Sequence, residues 1–437
     1  MTSYDQLRVD CALYNGYKPC RHGNHCHGCA MYAPLPPPDH TDAAGLRDEL
    51  DALMHPPPVD HDALFAATRA EGRPARILMV KTGAMGDVLR TTTLLAPLGR
   101  AYPGHHLTWV TDHAALPLVS STSLVHEPLP MDNSTAAALV ARADRVPFDL
   151  VLNFEKEPEP LALAGRVAAR AKVGYAPTPW NRPAAANAEA RDGVMLGLDD
   201  HLKFRVNTKS YPEIVCAMAG LPWRRDGYVL GVTARGHARR AAIDAALAAA
   251  SVGVHPAGGR RFRVALNTGC GAVFRTKQWP LANWTAMARV LRERADIDLL
   301  LLGGPAERDL NRAIAAAVPG ALDTGVDNPL EEFFGVVDSC DAMITSDTLG
   351  MHVAIALGKR VVALFGSTSP VEIDLFDRGA KVITEFACSP CYLRTCDKNP
   401  TCMMAMDGGL VAEAVLAQLD VLVAMNLAGL AAAAAIP

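Results

Sequence analysis

The chain has 437 residues, half of them hydrophobic and a fifth charged, an ordinary globular balance with length for two or three domains. A net charge of −4 excludes a global electrostatic pull toward nucleic acid or an anionic membrane. The start, MTSYDQLRVDC, lacks the basic region and apolar core of a signal peptide, so a cytoplasmic protein is expected.

Residues 1–75 read as a Cys/His-rich extension and linker, in which Pro triplets at 36–38 and 56–58 bracket one helical pattern, LRDELDALM. From Arg76 short apolar strands alternate with helices. ILMVK is a buried strand, Val88 to Tyr102 a helix, LTWVT (107–111) and FDLVLNF (148–154) further strands, and Leu161 to Ala171 an Ala-rich helix. Residues 175–235 are less regular, with one helix from Tyr211 to Ala219. A helix over 236–250 and a glycine loop mark a boundary.

A second alternating series begins at Arg263. VALN, DLLLLGG (298–304), DAMIT (341–345) and RVVALFG (360–366) are its strands, with helices over Ala282 to Arg294 and Glu307 to Val318. The expected fold class is therefore α/β, with two doubly wound Rossmann-like domains, 76–235 and 236–408, facing a cleft. Residues 409–437 are a helix and tail. The stretch Val421 to Pro437 carries no charge, but alanine dominates it and Glu413 and Asp420 lie just upstream, so it reads as a packed helix with a frayed end.

The strand ends carry the chemistry. KTGAMGDVLRTT (81–92) has the strand, glycine turn and helix of a phosphate loop, yet neither G-x-G-x-x-G nor G-K-[ST] is present. A carboxylate, Asp87, stands at its helix start, where the helix dipole favours the ionised form. In the second half, Arg275 and Lys277 follow the glycine loop of NTGCGAVFRTKQWP, whose Thr268 and Gly269 lie at a strand end. Gly303 lets a ligand approach the backbone in LLGGPAERD, and Glu307 there is either a ribose acceptor or a helix-dipole partner. In TSDTLGMH a helix mouth offers N–H groups to an anion, with Asp347, Thr348, Gly350 and His352 around it. The loop FGSTSP adds Thr368. A nucleotide diphosphate is the ligand class that this half suits.

Eleven cysteines are many for a reducing compartment, and eight form two groups. Cys11, Cys20, Cys26 and Cys29 are spaced C-x8-C-x5-C-x2-C among His22, His25 and His27, and Cys388, Cys391, Cys396 and Cys402 are spaced C-x2-C-x4-C-x5-C. Each group holds one C-x-x-C and reads as a structural metal site, with zinc the default.

As a set in this order, ILMVKTGAMGDVLRTTTLL, FDLVLNFEKEP, NTKSYPEI, TGCGAVFRTKQWP, LLLLGGPAERD, ITSDTLGMHVAIALGKRVVALFGSTSP and ACSPCYLRTC resemble glycosyltransferase family 9, the ADP-heptose-dependent heptosyltransferases. The resemblance spans about residues 76–403. It implies a GT-B fold and an inverting glycosyltransferase without a catalytic metal. By position it makes Asp87 the general base and Lys277 the diphosphate ligand. It puts Asp347, Thr348 and His352 at the nucleotide-sugar site, Glu307 on the ribose and Asn328 at the adenine pocket. Gly83 and Gly86 then bring backbone close to the sugar. The family pattern D-[ST]-G-x-x-H is altered here to D-T-L-G-M-H, with Leu349 in the Gly place. Related protein heptosyltransferases carry a cysteine-bound iron near the second cysteine group, which adds iron to zinc as its metal. The function implied is transfer of heptose, or a related sugar, from ADP-heptose to a hydroxyl such as that of lipopolysaccharide core. The alternatives are a protein Ser/Thr or natural-product acceptor, and a catalytically idle, metal-stabilised scaffold. Partners are a nucleotide-sugar donor and a glycolipid or protein acceptor, with no nucleic acid and at most peripheral contact with the inner membrane.

Overall fold

A computed structural model describes residues 3–20, 26, 28–38, 42–250, 261–271 and 273–434. His22, His25, His27 and the glycine loop at 251–260 lie outside the described residues. The chain divides into two compact units, Met1–Val229 and Leu230–Pro437. The boundary expected at 235/236 was marked by a helix, and that helix, Ala234–Ala250, opens the second unit.

The first unit is built on six strands: β1 (Arg76–Val80), β2 (His106–Thr111), β3 (Glu127–Pro130), β4 (Phe148–Asn153), β5 (Ala169–Pro177) and β6 (Pro183–Ala185). Their order is β3-β2-β1-β4-β5-β6, and every pairing is parallel except β5 with β6. The continuous apolar runs make this arrangement possible. Ile77, Leu78, Met79 and Val80 are all fully buried, which requires cover on both faces of the sheet. The chain order reverses between β1 and β4, the switch point where α/β proteins place their ligands.

Two helices expected from the sequence are cut short. The helix expected over Leu161 to Ala171 is Pro158–Arg166, and Ala169 onward is strand β5. Alanine has no steric objection to either state, and pairing with β4 from Phe148↔Ala169 onward decides for strand. Gly174 is required there: it has φ +89°, and a Cβ would stand 2.1 Å from the Asn153 carbonyl oxygen. The helix expected over Val88 to Tyr102 is two helices, Met85–Thr91 and Leu95–Ala101, joined by a 3-10 turn at Thr92–Leu94. Thr91 and Thr92 turn their hydroxyls onto the carbonyls of Asp87 and Leu89, which competes with the regular ladder.

The second unit repeats the plan with β7 (Phe262–Asn267), β8 (Ile297–Leu302), β9 (Leu322–Asp323), β10 (Ala342–Ser346), β11 (Arg360–Phe365) and β12 (Gly379–Ile383). The order is β12-β11-β10-β7-β8-β9, all parallel, and the switch point lies between β7 and β10. Its core packs Trp279, Trp284, Met287 and Leu291 against Leu299 and Leu301. The helix Gly408–Ala434 adds Val411, Ala412, Val415 and Leu419 to that core. The segment Gly408–Met425 is also long and apolar enough to cross a membrane, by length and composition only.

The N-terminal extension belongs to the first unit. Tyr4, Leu7, Val9 and Tyr14 are buried. The Tyr14 hydroxyl donates to the Pro183 carbonyl at 2.6 Å, and Arg182 donates to the Cys11 carbonyl at 2.8 Å.

Candidate functional site

Each unit gathers polar residues at its own switch point. In the first, one carboxylate oxygen organises the turn after β1. Glu155 Oε1, just past β4, accepts from Lys81 Nζ at 2.6 Å, from the Thr82 N–H at 2.8 Å and from the Gly83 N–H at 2.9 Å. Asn153 supports it from below, accepting from the Glu155 N–H at 3.0 Å and donating to the Tyr175 carbonyl at 2.8 Å. Asp112, at the end of β2, flanks Gly83: its carboxylate would sit 3.3 Å from a Cβ there. Burial and the nearby Glu155 charge push the Asp112 carboxyl up.

Asp87 sits in the first turn of Met85–Thr91 with a partly exposed carboxylate. Arg90 faces it at 2.9 Å and lies 3.7 Å over the ring of Tyr211, whose hydroxyl meets Thr91 Oγ1 at 2.9 Å. Burial, then the Asp87 charge, raise the Tyr211 phenol, so it stays protonated. Gly83 gives its N–H to Glu155, which ties it into the turn. Gly86 lies on the helix beside Asp87.

In the second unit, Asn267 at the end of β7 donates across the switch point to Thr345 Oγ1 at 2.9 Å and Thr348 Oγ1 at 3.1 Å. Thr348 is the N-cap of the helix Leu349–Ala356, accepting from the Met351 N–H at 3.4 Å. Lys277 Nζ donates to the Asp347 carbonyl, and Ser346 Oγ donates to the Lys277 carbonyl at 2.7 Å. The ammonium thus stands beside the positive end of that helix. His352 Nε2 is 3.9 Å from the Asp347 carboxylate and is buried. Gly350 packs on Asn267: a Cβ would come within 2.6 Å of Asn267 Nδ2. So Lys277, Asp347, Thr348, Gly350 and His352 share one locus, and Leu349 in the family's Gly place leaves the close glycine contact to Gly350.

Thr268, Gly269, Gly303 and Glu307 form a neighbouring group at the ends of β7 and β8. Glu307 accepts from the Gly304 N–H at 2.9 Å and would touch a Cβ at Gly269 at 3.1 Å. Thr268 Oγ1 donates to Asn311 Oδ1 at 2.6 Å. Asn311 Nδ2, close to Gly303, is buried with no hydrogen-bond partner among the described residues. Asn328 is committed to its own turn, donating to the carbonyls of Thr324 and Gly325 and accepting from Arg239 Nε at 3.0 Å.

The eight cysteines of the two spaced sets lie in two places. Cys11, Cys20, Cys26 and Cys29 line one small cavity. Cys402 has Cys391, Cys396 and Cys388 as its electrostatic neighbours, and burial pushes its thiol up. Among the described residues, no three His, Cys, Asp or Glu side chains already stand at metal-holding spacing. The second cysteine loop braces the Lys277 turn: Thr276 Oγ1 donates to the Leu393 carbonyl at 2.7 Å and meets Ser367 Oγ at 3.1 Å.

Glu155, Arg90, Tyr211 and Asn267 were not singled out from the sequence. Glu155 lies in FEKEP and Tyr211 in KSYPE, so both fall inside the quoted motifs.

Known proteins resemble both the sequence and the fold. The family model described as glycosyltransferase family 9 (heptosyltransferase) matches residues 230–401. Lipopolysaccharide heptosyltransferase 1 of Pseudomonas aeruginosa is 25% identical over 348 residues, covering 75% of this chain and 88% of that protein. The chain is therefore similar to family 9 glycosyltransferases, through its second unit in the family model and over most of its length in this relative. Solved structures agree on the fold. The glycosyl transferase family 9 structure from Veillonella parvula superposes with TM-score 0.60 at 16% identity, covering 79% of this chain and 97% of that one. Escherichia coli ADP-heptose lps heptosyltransferase II gives TM-score 0.56 at 17% identity, covering 79% and 98%. The chain thus shares the fold of these structures, the two α/β units that its strands led one to expect.

Proposed function

We propose that this chain is a glycosyltransferase that moves heptose from ADP-heptose to a hydroxyl of a lipopolysaccharide-core type of acceptor, with inversion at the anomeric carbon. The observation that carries the reading is the locus at the second switch point, where the Lys277 ammonium and the mouth of Leu349–Ala356 stand together. A departing diphosphate needs positive groups fixed before the reaction, and these supply them. The match to a lipopolysaccharide heptosyltransferase over most of both chains supports the sugar and the acceptor class.

In this reading the acceptor oxygen attacks the anomeric carbon as the bond to the diphosphate oxygen breaks. The acceptor proton passes to the Asp87 carboxylate, and the negative charge of ADP is taken up by Lys277 and the first-turn N–H groups. Glu307 accepts from the ribose. Asn328 keeps the 324–328 turn in shape at the adenine end. The Cys388, Cys391, Cys396 and Cys402 set puts four thiols in one loop, a donor set whose chemistry would suit a structural zinc or iron ion. Such an ion would cross-link the loop that braces Thr276 and leave no open position for catalysis. The enzyme would work in the cytoplasm, with peripheral contact at the membrane that holds a glycolipid acceptor.

The test offers ADP-heptose, UDP-glucose and GDP-mannose with heptose-deficient lipopolysaccharide core, and follows nucleotide release and acceptor mass. The reading expects ADP release that depends on the acceptor, and a core heavier by one heptosyl group. Transfer from another nucleotide sugar alone, or no turnover with any donor, would overturn it.

A further inference from the structure

The loop after β4 holds a cation that the transfer reaction does not use. Lys156 is partly buried, and its Nζ lies 4.9 Å over the ring of Tyr175. A Cβ at Gly197, in the helix Arg191–Leu198, would collide with the same Nζ, so the ammonium takes the space of a side chain there. An aromatic face attracts a cation, but an ammonium also carries N–H donors that want oxygen. Among the described residues, no oxygen accepts a hydrogen bond from this Nζ and no carboxylate stands at ion-pair distance.

The surrounding charges make the place more positive. Lys203 and Lys81 both repel the Lys156 ammonium, and Glu155, whose charge favours it, is committed to Lys81 at 2.6 Å. Lys203 comes from a π-helical turn, Leu202–Val206, a widened helix form that recurs at functional sites. Burial keeps the phenols of Tyr175 and Tyr17 protonated, with Glu157 also raising Tyr17, so neither supplies a negative charge. Burial pushes the Lys156 ammonium itself down to about 8, so the fold holds this charge at a loss of stability. An ammonium without an acceptor, beside a second lysine, is the complement of an oxyanion.

The N-terminal extension sets the position. The Tyr17 hydroxyl donates to the Lys156 carbonyl at 2.6 Å, and Tyr14, three residues earlier, is anchored on the Pro183 carbonyl at 2.6 Å. Lys156 in turn follows Glu155, which shapes the turn leading into the Asp87 helix. We propose that Lys156 and Lys203, with Tyr17 as a positioning residue, form a subsite for an oxyanion, a carboxylate or a phosphate monoester, carried by the sugar acceptor. The oxyanion accepts N–H bonds from Lys156 and lies between the two ammonium groups. That it belongs to the acceptor rests on the transferase reading above; that it binds at Lys156 does not.

The test titrates the full chain at pH 8 with glucuronate, glucose 6-phosphate and uncharged glucose, by calorimetry in buffers of different ionisation enthalpy. At that pH the Lys156 ammonium is about half deprotonated. A bound oxyanion restores the proton, so binding should take up about half a proton per anion. Uptake with glucuronate alone supports a carboxylate, with glucose 6-phosphate alone a phosphate, and with both an oxyanion of either kind. Glucose should not bind. Lys156→Met removes a group that burial disfavours, so it should fold; it should abolish the uptake and weaken anion binding roughly 10- to 100-fold. Tyr17→Phe should weaken binding several-fold with the unfolding midpoint little changed. No uptake with either anion, uptake that survives Lys156→Met, or glucose binding as tightly as the anions would each overturn the proposal. Full affinity in Tyr17→Phe would overturn the part given to the extension. None of these readouts depends on turnover, so they stand apart from the ADP-heptose test.

Discussion

Lys81 and Glu155 form a buried ion pair across the first switch point, Nζ to Oε1 2.6 Å, with side chains 6% and 7% exposed. The same Glu155 oxygen takes the N–H groups of Thr82 and Gly83, so one carboxylate sets the turn that leads into the Asp87 helix. Glu155→Gln should leave Lys81 buried without a counter-charge and destabilise the protein by about 3–5 kcal/mol. Denaturant unfolding measures this. Lys81→Met in the same background should recover part of the loss, because it removes the orphaned charge. An unfolding midpoint unchanged by Glu155→Gln would remove the pair from the account.

Lys277 is expected to act on the leaving diphosphate. Lys277→Ala should lower kcat/KM by roughly 10²–10³ and weaken ADP binding measured by calorimetry. Arg275 is exposed on the same turn, and Arg275→Ala should change both far less.

Gly350 separates a packing role from a phosphate role. A methyl there meets Asn267 Nδ2 at 2.6 Å, and Asn267 is what joins Thr345 to Thr348. Gly350→Ala should cost about 1–3 kcal/mol of stability through overpacking and raise the donor KM. Leu349→Gly, which restores the family pattern at a partly exposed position, should leave the donor KM nearly unchanged. Thermal melting and steady-state kinetics on both variants check this.

Lys156 gives a pH signature. Burial pushes its ammonium down from 10.5 to about 8, with Lys203 and Lys81 adding repulsion. Between pH 8 and 10.5 the unfolded chain then holds the proton that the folded chain has lost, so this residue makes stability rise with pH across that window. Below pH 8 both states are charged and the desolvation cost is full. Lys156→Met should therefore stabilise the protein at pH 7, and its advantage over wild type should shrink as pH rises from 8 to 10.5. A constant advantage across that range in urea unfolding would contradict the assignment.

The central strands were legible because parallel strands buried on both faces must be continuous apolar runs, as in ILMVK and DLLLLGG. The edge strands were not. β3 reads EPLP and β9 is only Leu322–Asp323, and neither carries an apolar run. The glycosyltransferase resemblance named Lys277 and the helix mouth together because their motifs lie at strand ends, and the structure sets the two side by side. Glu155 was hidden for a different reason. In FEKEP it looks like any acidic loop residue, and its value comes from topology, which brings it to Lys81 across 74 positions of sequence. Asn267 is similar, reaching Thr345 across 78 positions. Arg90 could have been read beside Asp87 from its i+3 spacing on a helix.

The most direct test is the kinetic split of Asp87→Asn. The account predicts ADP-heptose binding within about twofold of wild type and turnover lowered by roughly 10²-fold or more, since the variant keeps its shape but cannot accept the proton. Turnover close to wild type, or losses of binding and turnover that match, would contradict the role of Asp87 as the base.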